Sequence, residues 1–218
     1  MRKQGIVCTG GDFAPGTLLA AYRRGIFPWP VSPELVPWCS PDPRAILRLG
    51  EPPVFARSLR RAMRVRPFRV TLDQAFAEVL ESCGDRAEGT WITEELASGF
   101  RELHALGWAH SIEVWNTETG ALAGGLYGLA LGAMFAGESM FHRETDASKV
   151  AFATLADLLH GAGFHMLDAQ QMTSHLESLG CRPVPRGQFL DDLGTALRVT
   201  REFPVLAASR PEPPGAGV

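Results

Sequence analysis

Apolar positions along this chain change their period several times, and each change marks an element. From Pro15 to about Arg24, Leu18, Leu19 and Tyr22 recur at helical spacing and predict one short helix. Pro28, Pro30, Pro33, Pro37, Pro41 and Pro43 then follow in close succession. Proline fixes φ and removes a donor, so residues 28–43 are expected to form an ordered loop without regular structure. Phe27, Trp29 and Trp38 make this stretch either a packing lid or a rigid stacking platform. From there to about Arg210, strand and helix patterns alternate. AILRL (45–49) and FRVTL (68–72) read as strands on either side of a basic helix, ARSLRRAMRV (56–65). Asp73–Ser82 and Thr93–Leu106 read as helices, and HSIEVW (110–115) alternates as a strand. Leu122–Tyr127 and Ala133–Phe141 read as two strands joined by a tight turn around Gly132. A helix from about Asp146 to His160 follows, with Asp146 or Thr145 as its N-cap. The strand HMLDA (165–169) and the helix SHLESLG (174–180), closed by Gly180, complete the pattern.

The order hairpin, helix, strand, helix around an apolar sheet predicts an α+β or α/β fold. It is similar to the Gcn5-related N-acetyltransferase (GNAT) core, in which a strand feeds a helix over the donor site. In those acetyltransferases the strand-to-helix turn is a glycine-rich loop whose amides hold a pyrophosphate. Here the turn reads HRETDASK and has no glycine, so the architecture is expected without coenzyme A. Three segments follow: a small N-terminal domain over 1–42 with the Pro/Trp-rich loop, a GNAT-like α/β domain over 43–210, and a disordered tail over 211–218.

Composition narrows the function classes. The 218 residues are 45% hydrophobic and 21% charged, an ordinary soluble balance with enough apolar mass for a full core. No apolar run approaches the length of a membrane span, and the basic start has too short an apolar stretch for a secretory leader. A cytoplasmic protein is the default expectation, and with no heptad or long apolar helix left over, a monomer. The net charge of −3 means that any nucleic-acid site must come from local clustering of basic residues. Cys8, Cys39, Cys83 and Cys181 lie far apart, without metal spacing or a neighbouring base, and read as reduced structural thiols. His104, His110, His142, His160, His165 and His175 make no metal pair, and no cofactor is expected.

Four sets of residues could carry chemistry. In FAGESMF, strand alternation places Glu138 among Met134, Ala136 and Met140, with Gly137 and Ser139 on the opposite face. A carboxylate in apolar company is costly unless paired or employed; the bland alternative is an edge strand with Glu138 in water. In LDAQ, Asp168 and Gln170 lie two apart at a strand end, so alternation gives them one face. Such a pair could receive a proton and hydrogen-bond a developing oxyanion, or simply cap the next helix. Arg57, Arg60, Arg61, Arg64 and Arg66 lie in and beside the basic helix with no acid among them, and arginine forks match phosphates. A solvated surface helix is the alternative. Trp29, Trp38 and Trp91 are each more often core, yet unpaired bases stack on such groups for about 1–3 kcal/mol.

Taken in order, YRRGIFPW, SPDPR, GTWIT, AHSIEVW, GGLYG, FAGESMF, DASK and LDAQ resemble the successive signatures of the leucyl/phenylalanyl-tRNA–protein transferases. The resemblance runs from about Gly11 to Phe189. It implies a small N-terminal domain on a GNAT-like one. It also implies transfer of a leucyl, phenylalanyl or sometimes methionyl group from aminoacyl-tRNA to a protein whose first residue is Arg or Lys. The product would enter the N-degron route to proteolysis. By the family's pattern Trp29 and Trp91 flank the 3′-terminal adenosine. Leu126, Met140 and Leu167, with the Gly137–Ser139 strand, line the aminoacyl pocket. Asp168 and Gln170 sit at the reacting ester, and Glu138 holds the donor's amino group. The chain departs from the pattern at Leu126, where methionine is common, at Ala169, where cysteine occurs, and at Cys39, where an aromatic is common.

That reaction needs neither ATP nor metal, because the ester is already activated and the attacking α-amine has a pKa of about 7.7–8.0. Two other classes share some of these features. A coenzyme A acyltransferase shares the fold but needs the glycine-rich loop. A non-catalytic RNA-end-binding protein would use the arginines and tryptophans, but has no need of Glu138, Asp168 and Gln170.

Overall fold

The computed structural model describes residues 5–32, 35–85 and 89–206; the tail expected over 211–218 lies outside the described residues. Two sheets are present. The smaller comprises β1 (Ile6–Thr9), β2 (Phe27–Pro28) and β3 (Pro37–Cys39) in the order β1-β3-β2. The proline-rich stretch therefore contains two short strands where only a loop was expected. The prolines fit because Pro28 lies on the edge strand β2 and Pro37 opens β3, positions that tolerate a missing donor. Between β1 and β2, α1 (Pro15–Tyr22) carries proline at its first turn and buries Leu18 and Tyr22.

The larger sheet has seven strands: β4 (Arg44–Arg48), β5 (Phe68–Leu72), β6 (Ala109–Asn116), β7 (Leu122–Leu131), β8 (Met134–His142), β9 (Met166–Gln170) and β10 (Arg182–Val184). Their order is β10-β4-β9-β8-β7-β6-β5. Every pairing is antiparallel except β8 with β9. Parallel neighbours need a crossover, supplied by α5 (Ala147–Gly161), so a strand feeds a helix and returns as expected of a GNAT-like core. One face of the sheet is covered by α2 (Arg57–Val65) and α5. The other is covered by α3 (Phe76–Gly84), α4 (Glu94–Ala105), α7 (Arg186–Leu197), α1 and the small sheet. Alternation along β7 serves both layers, with Tyr127 and Leu129 in one core and Leu126 in the other. The first core is continuous from Leu18, Tyr22 and Phe27 to Phe100 and Phe189, so the small sheet is packed into the molecule rather than appended.

Several boundaries moved. β7 runs to Leu131, four residues beyond its expected end. α3 begins at Phe76 rather than Asp73, because Asp73 takes φ 56° and accepts from Ser111 N–H and His110 Nδ1. Asp146 does stand at the start of α5, but at φ 71° its carboxylate makes no cap bond and instead pairs with Arg66 and Lys149. By contrast, Thr93 and Thr173 cap α4 and α6 (Ser174–Ser178) through their hydroxyls. β1, β10 and α7 were not anticipated. Strands of three or four residues give no period to read, and α7 mixes charge and apolar positions too evenly to stand out. Cys39, Cys83 and Cys181 are buried, and burial pushes the Cys181 thiol up to about 12, as suits a structural thiol.

Candidate active site

β8 and β9 pair only over Met134–Ala136 and Met166–Asp168, then separate. A cavity of about 450 Å³ opens between them. It is lined by Trp29, Trp91, Leu126, Gly137, Glu138, Ser139, Met140, Leu167 and Gln170 among others, so these nine expected residues meet in one place. Four consecutive β8 residues reach the cavity, which strict alternation forbids. The reason is a bulge: Tyr127 pairs with Ser139 and Gly128 with Gly137, leaving Glu138 as the extra residue. Gly128 is required beside it, because a Cβ there would lie 2.1 Å from Ala136 O and 2.5 Å from the Phe135 ring. Glu138 is thus neither on an edge strand nor governed by the face that alternation assigned.

A second irregularity aims Gln170. In β4, Ala45 pairs with Gln170 and Ile46 with Asp168, so Ala169 is skipped, and Gln170 takes φ 64°. The two residues therefore do not share a face in the simple sense expected. Gln170 turns into the cavity and its Nε2 donates to Glu138 Oε1 at 2.7 Å. Asp168 stays behind the wall at 1% exposure. Its Oδ1 accepts from Gln170 N–H at 2.9 Å and from Arg44 Nε at 2.8 Å, and its Oδ2 accepts from Arg44 Nη2 at 2.7 Å. A place for Asp168 directly at the reacting ester, where it could receive a proton, does not fit this geometry, since both carboxylate oxygens are engaged away from the cavity.

Arg44 was not anticipated. It is 1% exposed, lies between the Phe27 and Phe189 rings, and donates its third arm to Gly25 O at 3.0 Å. The available signal was electrostatic: a carboxylate on a buried strand demands a cation, and Arg44 opens the neighbouring apolar strand. Tyr22 was likewise read only as a helix position. Its buried hydroxyl interacts with the Glu138 carboxyl. Burial raises Glu138 to about 8; the Tyr22 hydroxyl opposes that rise, the Asp168 charge adds to it, and Arg44 and Gln170 oppose it.

Residues 47–194 match the leucyl/phenylalanyl-tRNA protein transferase family, and residues 11–42 match the N-terminal domain of that transferase. A leucyl/phenylalanyl-tRNA–protein transferase of Stutzerimonas stutzeri is 51% identical over 196 residues, spanning 88% of this chain and 85% of its own. The chain belongs to the leucyl/phenylalanyl-tRNA–protein transferase family. The transferase of Azotobacter vinelandii is 48% identical over 192 residues, covering 87% and 84%. Among solved structures, a GCN5-related N-acetyltransferase from Sphaerobacter thermophilus aligns with TM-score 0.43 and 15% identity, over 79% of this chain and 54% of that one. L-PGS from Bacillus licheniformis aligns with TM-score 0.47 and 11% identity, over 72% and 64%.

In this member of the transferase family the two tryptophans expected around adenosine stack on each other, with centroids 5.3 Å apart and planes at 12°. A base between them needs roughly 7 Å, two stacking steps of a nucleic acid. One indole must therefore move aside for a base to enter. Of the arginines expected at phosphates, none lines the cavity. Arg60 is held by Asp157 and Pro53 O, and Arg66 by Asp146, while Arg57, Arg61 and Arg64 are exposed on α2.

The buried Glu138 fixes a pH dependence. Its ordinary value is 4.5 and its folded value about 8, so between these the unfolded chain has released a proton that the folded chain keeps. Folding then takes up a proton, and stability falls as pH rises through that window. In Glu138→Gln this slope is absent. Urea unfolding at several pH values is expected to show wild type losing stability relative to the variant up to about pH 8, and level above it. Parallel curves would contradict the raised value.

Proposed function

We propose that this chain transfers Leu, Phe or Met from aminoacyl-tRNA to the N-terminal Arg or Lys of acceptor proteins, marking them for N-degron proteolysis. The observation that carries the reading is that one cavity gathers three parts: an aromatic pair, an apolar floor and a polar pair. Leu126, Met140, Phe152, Leu155, Leu167 and Leu176 form the floor, which suits an unbranched-at-Cβ side chain. Such a floor discriminates by only about 1–3 kcal/mol per methylene, consistent with three accepted side chains.

In this reading the acceptor's neutral α-amine attacks the ester carbonyl carbon. The carbon–ribose-oxygen bond breaks, and the amine's proton ends on the ribose hydroxyl. Gln170 is fixed at both ends, by Asp168 at its backbone and by Glu138 at its Nε2, so its Oε1 is the atom that aligns the amine's N–H. Glu138 faces the donor's amino group, whose positive charge would offset the burial that keeps the carboxyl protonated. Asp168 and Arg44 act through Gln170 as positioning residues. Positioning of two substrates supplies most of the rate. The terminal adenosine stacks on Trp91 or Trp29, and Arg57, Arg61 and Arg64 face the tRNA backbone.

Transfer of radiolabelled Phe or Leu from charged tRNA to an Arg-initiated peptide, and none to an Ala-initiated peptide, is the expected result. No label on either, from folded protein that still binds tRNA, would favour an RNA-end-binding role instead. Trp91→Ala is expected to raise the KM for charged tRNA about tenfold, the value of one lost base stack, with kcat nearly unchanged. An unchanged KM would remove Trp91 from the adenosine site.

A further inference from the structure

At and beside the mouth of the cavity stand imidazole and cationic side chains that the proposed transfer has not used. His142 at the end of β8 and His175 in α6 both line the cavity. Lys149, in the first turn of α5, is close enough to His175 for its charge, with that of His142, to hold that imidazole below its usual value, after burial of the ring. Lys149 Nζ lies 3.5 Å from Asp146 Oδ1, a loose contact, while Asp146 Oδ2 accepts from Arg66 at 3.2 Å. One carboxylate is thus shared by two cations, with two imidazoles beside them. Arg66, which shares Asp146 with Lys149, ends α2, the helix that packs on α5 and carries the exposed Arg57, Arg61 and Arg64.

We propose that His142, Lys149 and His175 form a site for a phosphodiester group, the one joining the donor's terminal adenosine to the nucleotide before it. This deepens the transfer reading and rests on it. With the aminoacyl group on the apolar floor and adenosine at the tryptophans, the nucleoside's 5′ side leaves the same cavity, and the first charge it carries outward is this phosphate. Lys149 releases Asp146 to Arg66 and turns its ammonium to the phosphate, while the imidazoles donate N–H bonds. The helix amides take no part, because the Asp146 carboxylate already stands at that end of α5. The strand of nucleotides then passes Arg66 toward Arg57, Arg61 and Arg64.

Two small donors test this: phenylalanyl-adenosine, and the same ester carrying a 5′-phosphate. A charge-assisted contact predicts a KM about tenfold lower for the phosphorylated donor in wild type. Lys149→Ala and His175→Ala are each expected to shrink that ratio to near unity, and Lys149→Arg to restore it. Equal KM values for the two donors in wild type, or a ratio that survives both alanine variants, would overturn the site. No product from either ester or from charged tRNA would overturn the transfer reading, and the site with it.

Discussion

Arg44→Met is expected to lower folding stability by about 3–5 kcal/mol and to abolish transfer. Arg44 and Asp168 are each 1% exposed and joined by two charge-assisted hydrogen bonds. Methionine fills much of the space between Phe27 and Phe189 but leaves a buried carboxylate without its cation. It also frees Gly25 O from its donor. The cost belongs to the abandoned charge rather than to the pair as such, since replacing both partners by apolar groups is often neutral. Arg44→Met with Asp168→Leu is therefore expected to regain most of the stability in urea unfolding. It should not regain transfer, because Gln170 N–H has lost its acceptor. A double variant that is both stable and active would show that this buried pair has no part in placing Gln170.

The second large effect is expected from Gln170→Ala: kcat falls by about 10²- to 10³-fold, with KM for either substrate changed little. The side chain carries the hydrogen-bonded path from the buried pair into the cavity, and its amide is clamped at 2.7 Å to Glu138. Loss of an interaction made mainly in the transition state lowers kcat and kcat/KM together. Unfolding and circular dichroism should be close to wild type, since alanine at φ 64° is no more strained than the glutamine it replaces. A rise in KM alone would make Gln170 a binding residue only.

How much of this was legible in the residues depends on which regularity each feature obeys. Helices and long strands follow a hydrophobic period, and α1, α2, α4, β5 and β6 lie where that period puts them. The cavity's lining was also legible, through eight short words that resemble a family's signatures. The period failed where the backbone breaks it. The bulge at Glu138 and the left-handed turn at Gln170 redirect two side chains that simple alternation assigned elsewhere. Asp168 looked like a participant because the chain shows its neighbours in sequence and not its neighbour in space. Arg44 is 124 positions away, and only the pairing of β4 with β9 brings it close. Proline misled in the opposite direction: it excludes strand interiors, not edges, and the small sheet uses it at an edge and at a strand start.

The small sheet has one more consequence. Trp29, Tyr22, Gly25 and Phe27 come from the first 29 residues, yet each touches the cavity or the groups directly behind it. Without the small sheet and α1, Glu138 would lose the Tyr22 hydroxyl, and Arg44 would lose the Phe27 ring and the Gly25 carbonyl. The site is therefore a joint, belonging to neither part by itself. Arg44, the residue that fastens it, falls between the two stretches of chain that match the family, at 11–42 and 47–194. A hybrid assembled from two relatives and spliced anywhere in that gap inherits a hinge pin from one parent and its socket from the other.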